Sequence, residues 1–525
     1  MKDRKAIMNA LSSALTYGIL LVFSIGSSKF VLVEFGSEAN GLLSSVNQLF
    51  AYIALLEAGI GTATIRALYQ PIADKSPIDI ADVLSASRSY YRSCAKWYFL
   101  AVVIVSILWP FLLETTIPFG TIWAVIFLQG ISGVITFWFS STVVNYLVAS
   151  SRNYVNNNLH VVFTLLTYVI KIAICLSGLS IVTISAAMIG LNILKCLLYY
   201  LYLKKNCPEF FIYRKPNKAL LKQRKSFLVH EISGVIFSST DTVILSVFCG
   251  LNEASVYAVY SLVFNALRSI IGQMFTGTNY ILGTAYSQGL NKYTPIHDNF
   301  NRIYVCAVFA IFTIAYIMIL PFISLYTNGI ADIDYMDSAL PIMFVAIELL
   351  SACRIVDGQL IKNALHAKQT INRSIVEAII NLVISIIAVQ YLGIYGVLLG
   401  TIVAMLYRTN DIIVYANKHI LKRRSIKEYV LYGGNIGIFF LFVVAERMIH
   451  IVVDTYLQLF WVAIGVSLVV LMVYAVINFG VYYIEKRVSR VRGVYYSKNK
   501  EIEVSSKCIF IAEKEKESRP VRDHA

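Results

Sequence analysis

Several charged side chains lie inside stretches of the sequence that are otherwise apolar. The cations among them are Lys29, Lys171, Lys195, Arg268, Arg354 and Arg408, and the carboxylates are Glu57, Glu231, Asp241, Glu348, Asp357, Glu377 and Asp411. A charge at the centre of a bilayer costs about 2.5 to 3.5 kcal/mol on insertion scales, so each such residue in a membrane protein is a candidate functional site. All but one of these carboxylates belong to the second half of the chain, so the two halves differ in the sign of their buried charge.

Arg268 lies on a polar face of the apolar segment 256–284. At about 100° per residue, an arc of roughly 60 to 80° holds the polar and small residues of this segment, which are Ser261, Asn265, Arg268, Gly272, Thr276 and Asn279. A guanidinium can bind a phosphate group through two parallel hydrogen bonds. We therefore predict that Arg268 and Asn265 bind an anionic substrate. The alternative is a structural arginine that a neighbouring carboxylate neutralises.

The lysines of the first half form a second predicted binding surface. Lys171 and Lys195 each continue a polar helical stripe, made of His160, Thr164 and Tyr168 for the first and of Ser185, Asn192 and Tyr199 for the second. Lys29 lies near the end of its apolar segment, where its ammonium could instead extend to the lipid headgroups. We predict that Lys171 and Lys195 face a polar interior and bind the anionic substrate. For Lys29, substrate binding and the headgroup alternative both stay open.

Carboxylates of the second half predict coupling to an ion gradient, because a buried Asp or Glu can exchange a proton or help to coordinate sodium. Asp241 lies deep in its apolar segment, and Glu377 and Asn381 belong to one helical face that continues to Ser385. We predict an H⁺ or Na⁺ site at Asp241, Glu377 and Asn381. Alternatively, Asp241 or Glu377 neutralises Arg268.

Glu57 is the fourth predicted ion-coupling residue. It precedes Gly59 and Gly61, where a helix could bend during transport, although close helix packing explains the glycines equally well. Two pairs with a spacing of three residues are predicted to be structural, because such residues neutralise each other on adjacent helical turns: Arg354 with Asp357, and Arg408 with Asp411.

The elements that position these residues must be membrane-spanning helices. Hydrophobic residues make up 58% of the 525 and charged residues only 14%, and the mean hydropathy is +0.69, which excludes a water-soluble fold. About 20 apolar residues cross a bilayer as a helix. Apolar windows predict fourteen spans, at residues 11–33, 42–65, 97–113, 121–149, 159–179, 181–203, 226–249, 256–284, 303–326, 338–361, 374–392, 394–416, 429–449 and 459–483.

The basic residues predict the orientation of these spans. Most of the 45 lysines and arginines fall in alternate loops and the termini, and only Arg447 falls in a loop on the other side. By the positive-inside rule, both termini are cytoplasmic in a multi-pass protein. The net charge of +15 therefore reports topology, not a nucleic-acid partner. The eight cysteines are scattered without a CxxC motif, so no metal or cofactor site is predicted apart from a coupling H⁺ or Na⁺.

A weak internal repeat predicts two parallel six-helix bundles around a central cavity, with two extra helices after them. Glu38-Ala39 matches Glu253-Ala254, and Gly178 matches Gly393, both at the same separation along the chain. The predicted all-α organisation is therefore a first bundle at 1–203, a basic cytoplasmic linker at 204–225, a second bundle at 226–416, helices 13 and 14 at 417–484 and a polar cytoplasmic tail at 485–525.

The chain resembles a known transporter family in its helix layout and in two segments. These are Phe35-Gly36-Ser37-Glu38-Ala39-Asn40-Gly41-Leu42 and Leu55-Leu56-Glu57-Ala58-Gly59-Ile60-Gly61. Over residues 6–483 the chain resembles the polysaccharide transporters, which include O-antigen flippases, of the multidrug/oligosaccharidyl-lipid/polysaccharide exporter superfamily. The resemblance implies a cavity lined with cations, which supports the predicted roles of Lys29, Lys171, Lys195 and Arg268.

The same resemblance implies a function. Such a protein flips an undecaprenyl-pyrophosphate-linked oligosaccharide from the cytoplasmic to the outer leaflet of the bacterial cytoplasmic (inner or plasma) membrane, by alternating access, for O-antigen, capsule or exopolysaccharide synthesis. Its expected partners are the anionic lipid-linked oligosaccharide, membrane lipids, a polysaccharide polymerase and the chain-length machinery. The alternative is a cation-coupled multidrug exporter of the same superfamily. An enzyme is not expected, because the sequence has no catalytic triad, nucleotide-binding loop or metal motif.

Overall fold

The computed structural model describes residues 2–57, 59–221, 240–449, 451–483 and 487, and these residues contain helices and no strand. The helices of the first half are α1 (Lys2–Ile53), α2 (Ile60–Ala73), α3 (Pro77–Leu108), α4 (Phe119–Ile135), α5 (Ser141–Ala149), α6 (Asn153–Leu176) and α7 (Ile181–Asn206). Short turns divide two of the long spans. A 3₁₀ turn at Ala54–Glu57 separates α1 from α2, and a π-helical turn at Thr136–Ser140 separates α4 from α5.

The second half begins with α8, which is described at residues 240–248. It continues with α9 (Leu251–Ser287), α10 (Leu290–Tyr326), α11 (Leu340–Asn363), α12 (Ile371–Leu392) and α13 (Ile394–Tyr415). Two more helices follow, α14 (Ile426–Met448) and α15 (Tyr456–Tyr483). Glu231, most of the seventh predicted span and the predicted tail, except residue 487, lie outside the described residues.

Eleven helices in the described part of the chain are long and apolar enough to cross a membrane. Three of the fourteen predicted spans are not counted separately among them. The second continues the first in one helical stretch (Gly18–Glu57), and the seventh is described only from residue 240. The tenth corresponds to α11, which is long enough but is not counted because it carries three charged residues close together, Glu348, Arg354 and Asp357. The predicted all-α, multi-pass membrane fold is confirmed.

Large apolar side chains cover the outside of the helices, as a lipid-facing surface requires. Phe111, Phe460 and Phe479 are 58 to 74% exposed, and Leu441 and Leu468 are exposed to a similar degree. In water, so extensive an exposed apolar surface would cause aggregation. The exposure therefore identifies the membrane as the solvent of this surface.

The backbone repeats the pattern that the sequence predicted. Eight of the eleven described residues with positive φ form pairs separated by about 215 residues, namely Gly36 with Gly250, Lys75 with Gly289, Ser151 with Leu365, and Gly178 with Gly393. Gly36 and Gly250 also have similar ψ angles, 177° and 173°. Each lies immediately before the second membrane-spanning helix of its half. Equivalent helix junctions of the two halves thus have the same local geometry, which confirms the parallel six-helix repeats.

Contacts between loops define two ends of the molecule, since Arg152 donates to the carbonyl of Asn206 and Ser37 donates to Asp332. We call the end that holds residues 74–76, 150–152, 207–221 and 421–425 the basic end, and the end that holds Gly36 and residues 327–339 the opposite end. Near the opposite end α1 packs along α9 so closely that a Cβ on Gly41 would lie 1.9 Å from the carbonyl oxygen of Leu251. The two halves therefore meet along α1 and α9.

Polar side chains join the halves at the opposite end. The Asn40 amide donates to the Ser255 hydroxyl at 2.8 Å. The Ser37 hydroxyl and backbone N–H both donate to Asp332 at 2.7 Å, and the Tyr335 hydroxyl donates to the Ser37 hydroxyl at 2.6 Å. Asn40 and Ser255 are 215 residues apart and occupy equivalent positions of the repeat, so the contact lies where the symmetry axis of the repeat passes.

The last two helices pack on the second half. α14 contacts α10, and the hydroxyl groups of Tyr474 on α15 and Thr313 on α10 lie 2.9 Å apart. Asn435 on α14 and Asn478 on α15 exchange amide hydrogen bonds at 3.0 and 3.3 Å. These buried contacts fix the two extra helices against α10.

Candidate functional site

Arg268 on α9 forms an ion pair with Glu348 on α11. The guanidinium donates from Nε to both carboxylate oxygens of Glu348, at 3.1 and 3.0 Å, and from Nη2 to Oε1. The Glu348 side chain is 2% exposed, whereas that of Arg268 is 50% exposed. The predicted neutralising partners, Asp241 and Glu377, do not form this ion pair. Arg268 thus combines a fixed carboxylate partner with a surface that remains open to another group.

Asp241 on α8 lies in a buried cluster of hydrogen-bonding groups. Its carboxylate accepts hydrogen bonds from the Tyr257 hydroxyl at 3.0 Å and from the Thr401 hydroxyl at 3.0 and 3.2 Å. The Asn381 amide in turn donates to the Thr401 hydroxyl at 2.8 Å. Within the described ranges, Asp241 has no ion-pair partner, although Arg268 interacts with it electrostatically at longer range. The structure therefore brings two predicted ion-coupling residues, Asp241 and Asn381, into one cluster.

Further oxygen atoms border this cluster. The amide Oδ1 of Asn381 is buried and has no hydrogen-bond partner. One helical turn away, the Ser385 hydroxyl donates to the backbone carbonyl of Val397 at 3.2 Å. α12 and α13 approach closely here, since a Cβ on Gly400 would lie 2.3 Å from Ser385 Oγ. Helices α8, α12 and α13 thus bring carboxylate, amide, hydroxyl and carbonyl oxygens together.

Glu377 belongs to a different cluster, which is rich in arginine. Its carboxylate accepts from Arg354 Nη1 at 2.5 Å and lies 3.6 Å from Arg408 Nε. Arg408 also pairs with Asp411 at 2.5 Å, as the three-residue spacing predicted. The prediction that Arg354 pairs with Asp357 is wrong. Glu377 on the neighbouring helix is better placed for Arg354, and the Oδ1 atom of Asp357 lies 3.1 Å from Nε2 of the buried His297.

Lys195 and Glu57 line one cavity of about 440 Å³ inside the first half. Tyr91, Asn145 and Asn192 contribute polar groups to the same cavity. The Lys195 ammonium lies 5.9 Å from the centre of the Tyr199 ring. Lys195 was predicted to bind substrate and Glu57 to couple transport to an ion. The structure places both side chains in the wall of one first-half cavity.

Asn265 lines a second cavity, of about 350 Å³, between α1, α6 and α9. Ser24, Tyr168 and Ser269 line it too. Lys171 lies three residues after Tyr168 on α6, which places the two side chains on one helical face. This cavity lies between the two halves, and of the predicted substrate-binding residues Asn265 is the one that lines it.

Lys29 lies near the opposite end, where it connects three helices. Its ammonium donates to the backbone carbonyl of Leu325 at 3.2 Å and to the Tyr456 hydroxyl at 2.9 Å. It also lies 5.3 Å from the centre of the Tyr456 ring, a distance typical of a cation–π contact. Lys29 therefore links α1 to α10 and α15, and the structure does not bring it together with Arg268.

The two halves differ in how their interior cations are compensated. Arg268, Arg354 and Arg408 of the second half each pair with a carboxylate. Lys29, Lys171 and Lys195 of the first half, by contrast, form no ion pair with any carboxylate that the structure describes. The interior lysines of the first half therefore lack a direct ion pair with a described carboxylate, and Glu57 lines the same cavity as Lys195.

Sequence reasoning missed Tyr257 and Thr401 as partners of Asp241, and it did not select Glu348 as a site residue. Tyr257 and Thr401 are single polar residues in apolar helices, which gives no signal in one sequence. Glu348 was recognised as an intramembrane charge, and its separation from Arg268 by 80 residues hid the pairing. Contacts between distant helices depend on tertiary packing that spacing rules do not cover.

Comparison with known proteins identifies the fold. No protein-family model matches the chain, and no curated protein matches it in sequence. Among solved structures, the lipid II flippase MurJ in an inward closed conformation matches with a TM-score of 0.64 and 11% identity, over 90% of this chain and 99% of that chain. A multidrug resistance MATE family transporter of the MOP superfamily, in an inward-facing conformation, matches with a TM-score of 0.63 and 15% identity, over 75% and 95%.

A MOP superfamily transporter from Pyrococcus furiosus is also similar, with a TM-score of 0.55 and 15% identity over 78% of this chain and 95% of that chain. All three structures are transporters, and each is covered almost completely by this chain. At this level of identity the likeness defines the fold. The chain is therefore a multi-pass membrane protein with the fold of MOP superfamily transporters.

Proposed function

We propose that this protein is a flippase for an anionic, lipid-linked oligosaccharide. It would move an undecaprenyl-pyrophosphate-linked repeat unit from the cytoplasmic to the outer leaflet for the synthesis of a surface polysaccharide. The observation that supports this proposal is that Lys171 and Lys195 form no direct ion pair with a carboxylate in the described ranges. A pyrophosphate would supply the missing negative charge, and a desolvated lysine without a partner is costly unless a ligand provides one.

Arg268 has a second role in this proposal. Glu348 holds the guanidinium in one orientation through Nε and Nη2, and because the side chain is half exposed, its remaining donors can contact a phosphate. Asn265, one turn away on the same helix, lines the cavity between the halves. Lys171 and Lys195 from the first half and Arg268 from the second half would then bind the substrate between them.

Transport would proceed by alternating access. The contacts that join Ser37 and Asn40 to the second half close the opposite end, and the positive-inside rule assigns the basic end to the cytoplasm. With this orientation, the described conformation is closed to the outside of the cell. Opening would require the Ser37–Asp332 and Asn40–Ser255 contacts to separate.

The Asp241 cluster is the proposed site of a coupling cation. A carboxylate, two hydroxyl groups, a backbone carbonyl and the unpartnered Asn381 oxygen are the ligand types that a hard cation such as Na⁺ takes. The site residues are Asp241, Asn381, Ser385, Thr401 and the carbonyl of Val397. Glu377 is excluded from this site because two arginines engage its carboxylate, and Glu57 lines the first-half cavity instead.

The substrate proposal is tested by the leaflet distribution of radiolabelled lipid-linked oligosaccharide in a deletion strain of the native host. The wild type should restore the labelled lipid to the outer leaflet, and Lys171→Gln/Lys195→Gln should leave it on the cytoplasmic side. Lys204→Gln is the matched control, because Lys204 lies on the same helix as Lys195 but is exposed at its basic end. The control should restore transport as well as the wild type does.

A multidrug exporter is the competing function, since MATE transporters have the same fold. It predicts the reverse result: lipid-linked oligosaccharide reaches the outer leaflet without the protein, and the deletion changes sensitivity to cationic drugs. Lysines that form no direct ion pair with a described carboxylate disfavour a cationic substrate, because like charges in a poorly solvated cavity repel. A drug phenotype together with normal outward passage of the oligosaccharide would refute the flippase proposal.

The coupling proposal is tested on the purified protein. Replacing K⁺ by Na⁺ at constant ionic strength should raise the Tm of the wild type, because a cation that binds only the folded state stabilises it. Asp241→Asn should remove this rise, and Glu377→Gln should keep it. A wild type that responds neither to Na⁺ nor, in transport, to a proton gradient would contradict the assignment of a coupling cation to this cluster.

A further inference from the structure

One face of α3 carries a regular ladder of basic and hydroxyl side chains. Arg88, Arg92 and Lys96 follow each other at intervals of four residues, and a serine lies beside each rung at Ser85, Ser89 and Ser93. Residues four apart share a helical face, so the two rows run side by side. The ladder runs from the third turn of α3 to just past the middle of the helix, outside the cavities described above.

The ladder forms one wall of a cavity of about 410 Å³. The other wall is the segment that connects the two halves, represented by Tyr213, Arg214 and Pro216. Arg214 is fixed there by two contacts with α3. Its Nε lies 2.6 Å from Asp82 Oδ1, and its backbone N–H donates to the Ser85 hydroxyl at 3.1 Å. The cavity thus has a defined wall on both sides.

Arg88 is held rigidly in this cavity. Its guanidinium carbon lies 4.3 Å from the centre of the Phe210 ring and 4.7 Å from that of Tyr213, and its Nη2 donates to the backbone carbonyl of Phe210. Arg88 lines the cavity and forms no ion pair with a carboxylate in the described ranges. A poorly solvated cation without a counter-charge is unfavourable, so the arrangement favours an anion in the cavity.

The cavity has no negative charge of its own among the residues that line it. Asp82, the nearest carboxylate in the fixed wall, already pairs with Arg214. Arg92 and Lys96 form no ion pair with a carboxylate in the described ranges. Three cations along one wall, accompanied by hydroxyl donors, match the geometry of phosphate recognition, in which arginines bind phosphate oxygens and serines add neutral hydrogen bonds.

We propose that this cavity is a phosphate-binding site at the basic end, formed by Arg88, Arg92 and Lys96 with the hydroxyl groups of Ser89 and Ser93. The phosphate comes either from the headgroup of an anionic lipid or from a soluble phosphate compound. The site goes beyond the proposed transport function and does not depend on it, since none of its residues lines the cavities that contain Lys195 or Asn265.

Binding is measured on the detergent-purified full chain with two probes, inorganic pyrophosphate and short-chain phosphatidic acid. The background variant is Lys171→Gln/Lys195→Gln, which removes the proposed substrate contacts and should retain binding. Adding Arg92→Gln/Lys96→Gln should weaken binding at least about tenfold, the effect of losing a charged hydrogen bond. Adding Lys204→Gln/Lys205→Gln, which removes the same charge from an exposed part of the basic end, should leave the affinity unchanged.

A second variant, Ser93→Glu, places a negative charge in the cavity without removing a cation and should also abolish binding. Tighter binding of phosphatidic acid than of pyrophosphate would identify the lipid headgroup as the source, and the opposite order would identify a soluble phosphate. Equal binding of both probes by the background variant and by Arg92→Gln/Lys96→Gln would overturn the proposal. So would the absence of binding to the wild type.

Discussion

At the scale of single residues, the ion pair between Arg268 and Glu348 is asymmetric. Glu348 is almost completely buried, and the arginine has half of its side chain exposed. An unpaired charge is most costly where water cannot reach it. The two members of the pair therefore should not be equally sensitive to loss of their partner.

Arg268→Gln should consequently destabilise the protein more than Glu348→Gln does. Removal of the arginine leaves a buried carboxylate without its partner, and breaking a buried pair in this way costs about 3 to 5 kcal/mol. Removal of the carboxylate leaves an arginine that can still be solvated. Thermal unfolding of the purified variants measures the difference, and an equal or reversed order of Tm values would contradict the pairing that the structure shows.

Residue-level prediction from the sequence succeeded where partners share a helix and failed where they do not. Arg408 pairs with Asp411 as its spacing predicted. Arg354 has the same spacing from Asp357 but pairs with Glu377 on the next helix. Asn381 was recognised by its helical position, but its contact with Thr401 arises from the packing of α12 on α13, which no local rule describes.

At the scale of helices, the interface between the halves depends on a close approach of two backbones. At Gly41, any side chain would collide with the carbonyl of Leu251. Because the colliding atom belongs to the backbone, a rotamer change cannot relieve the contact. Glycine at this position is thus a requirement of the packing between α1 and α9.

Gly41→Ala should lower the stability by about 1 to 3 kcal/mol, the usual cost of overpacking. It should also separate the halves near the opposite end. Gly18→Ala on the same helix is the control, since a Cβ there meets no atom within 4 Å. Thermal unfolding and the reactivity of a cysteine introduced at Ser255 measure both effects; unchanged stability and reactivity in Gly41→Ala would argue against the described interface.

Helix existence was predictable from the sequence, and helix extent was not. Each predicted span in the described residues corresponds to a helix, because apolar length alone determines whether a segment can cross a bilayer. α3 nevertheless begins at Pro77, far before the predicted start at residue 97. The part of α3 before residue 97 carries the basic ladder, and its polar residues exclude it from the predicted apolar window. The π-helical turn at Thr136–Ser140 had no sequence signal either.

At the scale of the whole molecule, two similar halves meet at equivalent positions, and the opposite end is closed. The contact between Asn40 and Ser255 joins the halves near their symmetry axis. The proposed alternating-access cycle would require this contact to break in every turnover. A bond that cannot break should therefore trap the protein in the described conformation.

Asn40→Cys/Ser255→Cys should form a disulfide under mild oxidation and lose transport, because a covalent link would hold the opposite end closed. A reducing agent should restore transport. Each single cysteine variant serves as the control and should be insensitive to the oxidant, which also accounts for the native cysteines. A cross-linked protein that still transports would show that these positions stay together throughout the cycle.

Proteoliposomes provide a direct test of whether Lys171 and Lys195 serve the passage of an anionic lipid-linked oligosaccharide. The measurement is the rate at which radiolabelled lipid-linked oligosaccharide moves between leaflets in vesicles that contain only the purified protein. Rapid movement is expected with the wild type and with Lys204→Gln, and no movement above that of protein-free vesicles is expected with Lys171→Gln/Lys195→Gln. Movement at the wild-type rate in the double variant, or none with the wild type, would contradict this role of the two lysines.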